Sequence, residues 1–238
     1  MTSAAPAVQP LPILMYHRVA PQGVAERDRF RVTPEAFEQQ LRYLRDCGFT
    51  SVDLETWSAA ATSRTRLPGN PILLTFDDGF LDFAEHAWPL LKRYGFGALV
   101  LLVSGSVGTW NSWDTNGETE PLLDWDTIAR LRDDGVEFGA HSVTHPRLTG
   151  LAPTDIVRQA LGSRDEIQRR LGERVVTFAY PYGDEDEVVR HLVGAAGFDF
   201  GLTCRPGAAR ARDPLLALPR IEVRGDADHH AFIAGLAT

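Results

Sequence analysis

The chain has 238 residues, a length that suits one sizeable domain or at most two small ones. Hydrophobic residues make up 44% of it and charged residues 24%, an ordinary globular composition that excludes fibrous and intrinsically disordered classes. The net charge of -8 and a pI near 5.4 disfavour binding to nucleic-acid backbones or anionic membranes, so neutral or cationic substrates fit better.

The sequence also limits the compartment and the domain count. Only two cysteines occur, Cys47 and Cys204, neither with the spacing of a disulfide scaffold or a metal site, and we expect two small buried residues. The start "MTSAAPAVQP" has no basic or apolar signal region, so the chain as written is predicted to be cytoplasmic. A periplasmic or extracellular location stays open if the native N-terminus differs. We expect an N-terminal tail over residues 1–10 and one domain over residues 11–238.

Segments of helical period alternate with apolar runs along the whole chain. In the first helical segment Thr33 can cap the N-terminus, Pro34 fits the first turn and Gly48 can end the helix. Further helices are predicted near residues 82–94, with a kink at Pro89, and near 126–134, 154–171, 184–196 and 228–236.

Eight short runs between these helices have the composition of strands, and many are too uniformly apolar to keep one face in water. They are "PILMYH", "FTSVDL", "PILLTF", "ALVLLV", "VEFGAH", "VVTFAY", "FGLTC" and "PRIEV". Strands that alternate with helices predict an α/β fold with parallel strands. Eight strands favour a closed or nearly closed (β/α) barrel, and an open doubly wound sheet is the alternative.

Polar residues follow several of these runs, and a barrel would gather them at the mouth formed by the carboxyl ends of its strands. His17 follows the first run, Asp77 and Asp78 follow "LLTF", and "HSVTH" and "YPYGD" follow two later runs. Such convergence would bring together side chains that are far apart in sequence.

The pair His141 and His145 in "HSVTH" would lie on one face of a helical turn, although Pro146 also fits an ordinary loop. Two imidazoles and one carboxylate form a usual catalytic metal triad with positions open for water. The doubled aspartate then has a use: Asp78 as the third metal ligand, and Asp77 as the base that takes a proton from water. Gly79 would let the backbone turn sharply there, while a plain Asp-Asp-Gly turn is the non-functional alternative.

The order of "TFDDG" and "HSVTH" resembles the first two motifs of the NodB-type polysaccharide deacetylases, carbohydrate esterase family 4, over about residues 11–223. The resemblance implies a deformed (β/α) barrel, Asp77 as the base, and Asp78, His141 and His145 as ligands of a divalent metal. "AYPYG" places Ala179 where the third motif usually has an arginine. "ILMYHRV", "FAYPYG" and "LPRIEV" are more similar to the circularly permuted branch of poly-β-1,6-N-acetylglucosamine deacetylases, which implies His17 as the catalytic histidine. Arg220 is predicted from its position to replace the missing arginine.

The implied activity is hydrolysis of the N-acetyl groups of a glycan containing N-acetylglucosamine, with release of acetate. Acetamide cleavage needs an activated water, stabilisation of an oxyanion and a proton for the departing amine. Asp77 can serve the first need, the metal and the backbone N–H of Tyr182 the second, and His17 the third. Zn²⁺ is the expected metal, with Co²⁺, Ni²⁺ and Mn²⁺ as alternatives. The expected partner is the glycan substrate, with no nucleic acid and no transmembrane segment; the sequence does not determine the oligomeric state.

Substrate contacts are predicted for Trp113, Tyr180 and Pro181. Trp113 and Trp110 lie in a polar, aromatic loop over residues 107–118, where they can stack on sugar rings or cover the edge of the core. Tyr16 and Tyr182 leave the same two options open. Surface or packing roles are expected for the remaining histidines, which are His86, His191, His229 and His230.

Two other functions remain open beside glycan deacetylation. A deacylase or deformylase acting on a small amide or a glycolipid would keep the same metal and base. A catalytically inactive carbohydrate-binding module would keep only the barrel. A glycosidase is disfavoured, because its two carboxyl groups must flank a sugar bond about 5–9.5 Å apart and adjacent residues on one turn rarely do so.

Overall fold

Seven parallel strands close into a barrel in the computed structural model, which describes residues 8–21, 29–113 and 119–236. Around the ring each of β1, β10, β9, β8, β7, β6 and β5 pairs with the next, and β5 pairs with β1 to complete the circle. The ten strands are β1 (Ile13–Tyr16), β2 (Arg18–Val19), β3 (Arg31–Val32), β4 (Phe49–Ser51), β5 (Asn70–Phe76), β6 (Leu99–Leu102), β7 (Glu137–Ala140), β8 (Thr177–Ala179), β9 (Phe200–Pro206) and β10 (Leu218–Glu222). The predicted (β/α) barrel is confirmed, and closure rules out the open doubly wound sheet.

One of the eight predicted strands lies outside the ring. The run "FTSVDL" contributes β4, which pairs only with the first half of β5, so the barrel has seven strands rather than eight. The short strands β2 and β3 pair with each other in a separate two-stranded sheet beside the carboxyl end of β1. These two short strands therefore border the mouth of the barrel.

Seven α-helices complete the described residues, and six of them lie where the periodicity predicts. They are α1 (Pro34–Asp46), α2 (Leu54–Ser63), α3 (Trp88–Tyr94), α4 (Trp125–Asp133), α5 (Pro153–Leu171), α6 (Glu187–Ala195) and α7 (His229–Leu236). Thr33 caps α1 as predicted, its hydroxyl accepting from the N–H of Ala36. The bend expected at Pro89 takes the form of a π-helical turn over Phe83–Ala87 that leads into α3.

Alternation along the strands separates two apolar cores. In β5 and β6, residues such as Leu74 and Val100 face outward into the layer shared with the helices. Their neighbours, such as Leu73 and Leu101, join a smaller cluster inside the barrel. The interior of the barrel away from its carboxyl-end mouth is therefore apolar.

Helix α2 was not expected from the sequence, and it closes the amino-terminal end of the barrel. Leu54 and Trp57 from this helix join Leu11, which precedes β1, in the interior cluster. The indole of Trp57 is fully buried and donates to the carbonyl oxygen of Gln9. With this end closed by described residues, the opposite, carboxyl end of the barrel is the end where polar side chains gather.

The two cysteines are free and exposed, so the expectation that they are buried is wrong. Cys47 caps the end of α1, and Cys204 lies in the second half of β9, beyond the buried part of that strand. No helix in the described part of the chain has the length and apolar character needed to cross a membrane. Residues 1–7 of the predicted tail lie outside the described residues.

Candidate functional site

The two aspartates stand on a strained turn at the carboxyl end of β5. The N–H of Asp77 still donates to the carbonyl oxygen of Tyr16 on β1, which fixes the first aspartate in the barrel wall. Asp78 and Gly79 then both adopt positive φ angles, 74° and 78°. A Cβ atom at Gly79 would lie 2.8 Å from Leu102, so glycine is needed there for space as well as conformation. The left-handed backbone thus begins at Asp78, one residue before the glycine at which the turn was expected.

Asp78, His141 and His145 converge on one point at the mouth of the barrel. Asp78 Oδ1 lies 3.5 Å from His141 Nε2 and 3.4 Å from His145 Nε2. The two Nε2 atoms lie 3.2 Å apart. All three side chains are buried, and their ligand atoms lie within 4.8 Å of one another. The predicted triad is therefore brought together from β5 and from the loop after β7.

The chemistry of these donors fits a divalent cation. His141 Nδ1 lies 2.8 Å from the carbonyl oxygen of Ala179, which can only accept, so Nδ1 carries the proton and Nε2 presents a lone pair to the site. Burial lowers the pKa of His141 to about 4. Burial, and then the proximity of His141, lowers the pKa of His145 to about 2. A single proton on His145 Nε2 could satisfy only one of its two neighbours, whereas a cation between the two imidazoles and the carboxylate would accept lone pairs from all three.

The "HSVTH" segment is an irregular loop and not the helical turn that its spacing allows. Ser142 and His145 both adopt positive φ angles, 66° and 58°. The Ser142 hydroxyl accepts from the N–H of His145 at 2.9 Å and holds this conformation. Gln159 of α5 accepts the N–H groups of Val143 and Thr144, which ties the loop to the outer helix layer. The rings converge because of this loop geometry, so the helical interpretation is wrong.

Asp77 faces the interior of the barrel, where Arg220 of β10 forms a bidentate ion pair with it. The Nη1 and Nη2 atoms of Arg220 lie 2.7 Å from the two carboxylate oxygens. Both side chains are almost fully buried. Burial by itself raises the pKa of Asp77, but the charge and hydrogen bonds of Arg220 outweigh it and hold the pKa well below the ordinary range. Arg220 therefore favours the ionised form of Asp77.

Arg220 is itself fixed from two sides. Its Nε donates to the carbonyl oxygen of Thr203, and Nη1 also donates to the Thr75 hydroxyl. Ala179, at the third-motif position that lacks an arginine, is fully buried in the interior cluster. The guanidinium that faces Asp77 thus comes from Arg220 on β10, which is separated from β8 by β9 in the ring.

His17 lies at the end of β1, on the same side of the barrel as the triad. Its imidazole is close enough to Asp77, His141 and His145 to interact with them electrostatically, so it faces the site. Its ring packs against Phe30, with centroids 4.5 Å apart. The structure therefore brings His17 to the mouth together with the predicted base and ligands.

Aromatic side chains form the rim of the site. The Trp113 ring stacks on His145 at 4.7 Å, and the Tyr182 ring meets the same imidazole edge-on at 4.6 Å. Arg147 covers the Tyr182 ring at 4.5 Å. Tyr182 has a positive φ of 61°, a conformation that side-chain packing on both sides stabilises. Trp110 is 58% exposed, and residues 114–118 of the same predicted loop lie outside the described residues.

Two predicted substrate contacts are wrong in position. The Tyr180 ring is fully buried, and its hydroxyl donates to the carbonyl oxygen of Leu216. Pro181 is also buried, so neither side chain lies on the open surface of the mouth. Tyr16 belongs to the core as well, with its hydroxyl bonded to Gln40.

The other histidines take the packing or surface positions expected of them. His229 packs between Tyr43 and Phe232, and His191 is exposed on α6. Nothing in the sequence marks Arg147 as a rim residue, because a cation two residues after "HSVTH" is also common in plain surface loops.

Comparison with known proteins agrees with this geometry. The sequence profile of a family described as polysaccharide deacetylase matches residues 64–201. The provisionally named polysaccharide deacetylase YxkH of Bacillus subtilis is 26% identical over 222 residues, which cover 93% of this chain and 74% of that protein. The poly-β-1,6-N-acetyl-D-glucosamine N-deacetylase of Staphylococcus aureus is 22% identical over 216 residues, 86% of this chain and 72% of that protein.

Solved structures match almost the full length of the chain. The Streptococcus pyogenes deacetylase PplD, solved in complex with acetate, superposes with a TM-score of 0.84 at 25% identity, over 95% of this chain and 98% of that one. IcaB from Ammonifex degensii superposes with a TM-score of 0.75 at 26% identity, over 92% and 94% of the two chains.

Proposed function

The chain belongs to the polysaccharide deacetylase family, and from this premise we propose that it is a metal-dependent hydrolase that removes N-acetyl groups from a glycan containing N-acetylglucosamine. The observation that carries the proposal is the convergence of Asp78, His141 and His145 beside an ionised carboxylate, Asp77. A structural metal site would have no need of that additional carboxylate. The name of the Staphylococcus aureus relative supports an N-acetylated β-1,6-linked glycan as the substrate class.

A divalent cation held by Asp78, His141 and His145 would supply Lewis-acid activation of water and polarisation of the acetamide carbonyl. Zn²⁺ suits two imidazoles and one carboxylate best, and Co²⁺, Ni²⁺ or Mn²⁺ can occupy the same donors. The carbonyl oxygen of Ala179 would orient His141 towards the cation through the hydrogen bond at Nδ1.

Asp77 would accept the proton of the attacking water. Arg220 occupies one direction of each carboxylate oxygen, and an ionised carboxylate has about four acceptor positions, so acceptor positions remain for the water. The salt bridge keeps Asp77 anionic but also makes it a weak base. The main gain from Arg220 would be orientation, because a carboxylate held from two sides cannot rotate away from the water.

Two groups of this chain would serve the second half of the reaction. The backbone N–H of Tyr182 would donate to the oxygen that gains negative charge as the carbonyl is attacked, and such a donor is typically worth about 10²–10³ in rate. His17 would donate a proton to the amine nitrogen as the C–N bond breaks. The products are acetate and a glucosamine unit with a free amine. Trp113 and the exposed edge of Tyr182 would contact the sugar rings.

An acetate-release screen tests this function. β-1,4- and β-1,6-linked N-acetylglucosamine oligomers, formylated and acetylated small amides, and an N-acetylated glycolipid would be incubated with the chelator-treated protein, with and without each of the four metals. We expect metal-dependent acetate release from the β-1,6-linked oligomers. Release only from the small amides or the glycolipid would favour the alternative deacylase, and binding of oligomers without any release would favour an inactive module.

A further inference from the structure

We propose that Arg18 is a positioning residue that holds His17 in place at the mouth of the barrel. It would act through a buried ion cluster that has no role in the mechanism proposed above. The cluster, which we call the strap cluster, consists of Arg18, Arg31, Asp82 and Glu120. The inference rests on the proposed function, since it concerns the proton that His17 would deliver. Arg18 itself would not touch the substrate.

Arg18 joins three segments of the mouth at once. Its Nε donates to Asp82 Oδ2 at 2.7 Å, and Asp82 lies four residues after the ligand Asp78. Its Nη1 donates to Glu120 Oε1 at 2.6 Å. Its guanidinium also lies over the Phe80 ring, 5.3 Å from the centroid. The guanidinium reaches the two carboxylates from different nitrogens, Nε and Nη1, whereas a lysine would have to reach both from one nitrogen.

The backbone beside His17 is tied to the same cluster. The N–H of Val19 donates to Asp82 Oδ1, and the N–H of Arg18 donates to the carbonyl oxygen of Phe30. The Phe30 ring is the surface on which His17 packs. The next residue, Arg31, donates to Glu120 Oε1 at 3.0 Å. The backbone just after His17 is therefore held by a strap-cluster carboxylate at Val19 and by the Phe30 carbonyl at Arg18, and Phe30 directly precedes the cluster member Arg31.

Glu120 extends this connection to the loop that carries Trp113. Its N–H donates to Asn111 Oδ1 at 2.6 Å, and its carbonyl oxygen accepts from the N–H of Asn111 at 3.1 Å. Trp113 follows two residues later and stacks on the ligand His145. Glu120 therefore links the two sides of the mouth: its carboxylate binds Arg18 and Arg31, and its backbone binds Asn111 in the loop that carries Trp113.

Burial makes these contacts persistent. The side chains of Arg18 and Arg31 are each 9% exposed and that of Asp82 is 8% exposed, whereas ordinary surface ion pairs are largely hydrated. Among the described residues, both carboxylates accept directed bonds from the two guanidinium groups. Such buried, directed bonds favour one arrangement of the segments that they join, and in that arrangement His17 keeps its place at the mouth.

The test compares two leaving groups in the variant Arg18→Lys. Lysine keeps the positive charge but lacks the separate guanidinium nitrogens that bind Asp82 and Glu120. An acetamide leaves as an amine and needs the proton of His17, whereas an aryl acetate leaves as a stable phenolate and does not. We expect amide cleavage to fall about 10- to 100-fold, as misplacement of a catalytic group by about 1 Å does, while ester cleavage and Zn²⁺ affinity change little. The exposed Arg45→Lys, remote from the mouth, is the matched control and should leave both rates unchanged.

Further variants distinguish a positioning role of Arg18 from a contribution to protein stability alone. Because Arg18 would act through His17, the double variant His17→Ala with Arg18→Lys should be no slower on the amide than His17→Ala alone. Equal losses on ester and amide, or additive losses in the double variant, would overturn the inference while leaving the proposed function intact. If Arg18→Lys does not fold, Glu120→Gln at the partly exposed end of the cluster carries the same comparison, with the same two outcomes. A wild type inactive on both substrates would overturn the proposed function, and this inference with it.

Discussion

Replacement of Arg220 by methionine is the change whose consequence the structure defines most closely. Asp77 is 2% exposed and receives two hydrogen bonds of 2.7 Å from Arg220. Methionine has a similar length but neither donor nor charge, so the variant would leave an uncompensated carboxylate inside the barrel. Removing one partner of a buried ion pair typically costs about 3–5 kcal/mol, and we expect the free energy of unfolding of Arg220→Met to fall by about that amount at neutral pH.

The pH dependence of the loss follows from the direction of each pKa. In the wild type the pKa of Asp77 is lowered, so its contribution to stability is present above the unfolded pKa of about 3.9 and is lost only as the pH falls through the still lower folded value. In Arg220→Met the largest influences that lower the pKa are gone, and burial, the largest cause of all, raises it. The variant should therefore lose stability as the pH rises above the unfolded pKa. The difference between the two proteins should shrink on acidification from neutral pH to about pH 5.

Urea unfolding followed by circular dichroism, in chelator so that metal binding does not contribute, measures both effects. Asp77→Asn combined with Arg220→Met provides the control, because an amide next to methionine buries no charge. The double variant Asp77→Asn with Arg220→Met should show a coupling energy of up to about 3 kcal/mol relative to the two single variants. A loss below about 1 kcal/mol in Arg220→Met, the size of an exposed pair, would show that the pair is not buried as described. A double variant whose loss equals the sum of the two single losses would show the same.

Four further predictions concern the metal site, the base, the proton donor and the closed end of the barrel. Asp78→Ala should lose most of its bound Zn²⁺ by elemental analysis, because one of three ligands is removed; full occupancy would show that the ligand is another residue. Asp77→Asn should keep its metal and lose turnover of acetylated oligomers, since an amide of the same shape cannot take a proton from water, and normal turnover would exclude it as the base. His17→Ala should slow amide cleavage by roughly 10²–10⁴ yet spare aryl acetates, whereas equal losses together with a lower Tm would indicate a structural histidine. Trp57→Ala should lower the free energy of unfolding by about 3–5 kcal/mol in urea without changing Zn²⁺ affinity, and a loss under about 1 kcal/mol would mean that α2 does not close the barrel.

The sequence was sufficient for the features that depend on local pattern. Alternating apolar runs and helical periods predict a parallel barrel, because strands buried on both faces must be apolar throughout. Side chains at the carboxyl ends of these runs, such as Asp78 and His141, are predictable as neighbours for the same reason. Helix α2 escapes this logic, since "LETWSAAATS" has no clear polar face and its Trp57 fills the end of the barrel instead of the outer layer.

What only the tertiary structure decided is which distant side chains meet and in what conformation. Arg220 lies 143 residues from Asp77 in sequence, and the two meet because ring closure places β10 and β5 on either side of β1. The positive φ angles of Asp78, Ser142 and His145 set the directions of the triad, and no spacing rule predicts them, because they are imposed by packing and by the Ser142 hydrogen bond. Composition and period thus determine which elements form and what donors they carry. The register of a closed barrel, a property of all its strands together, determines that those donors face one another.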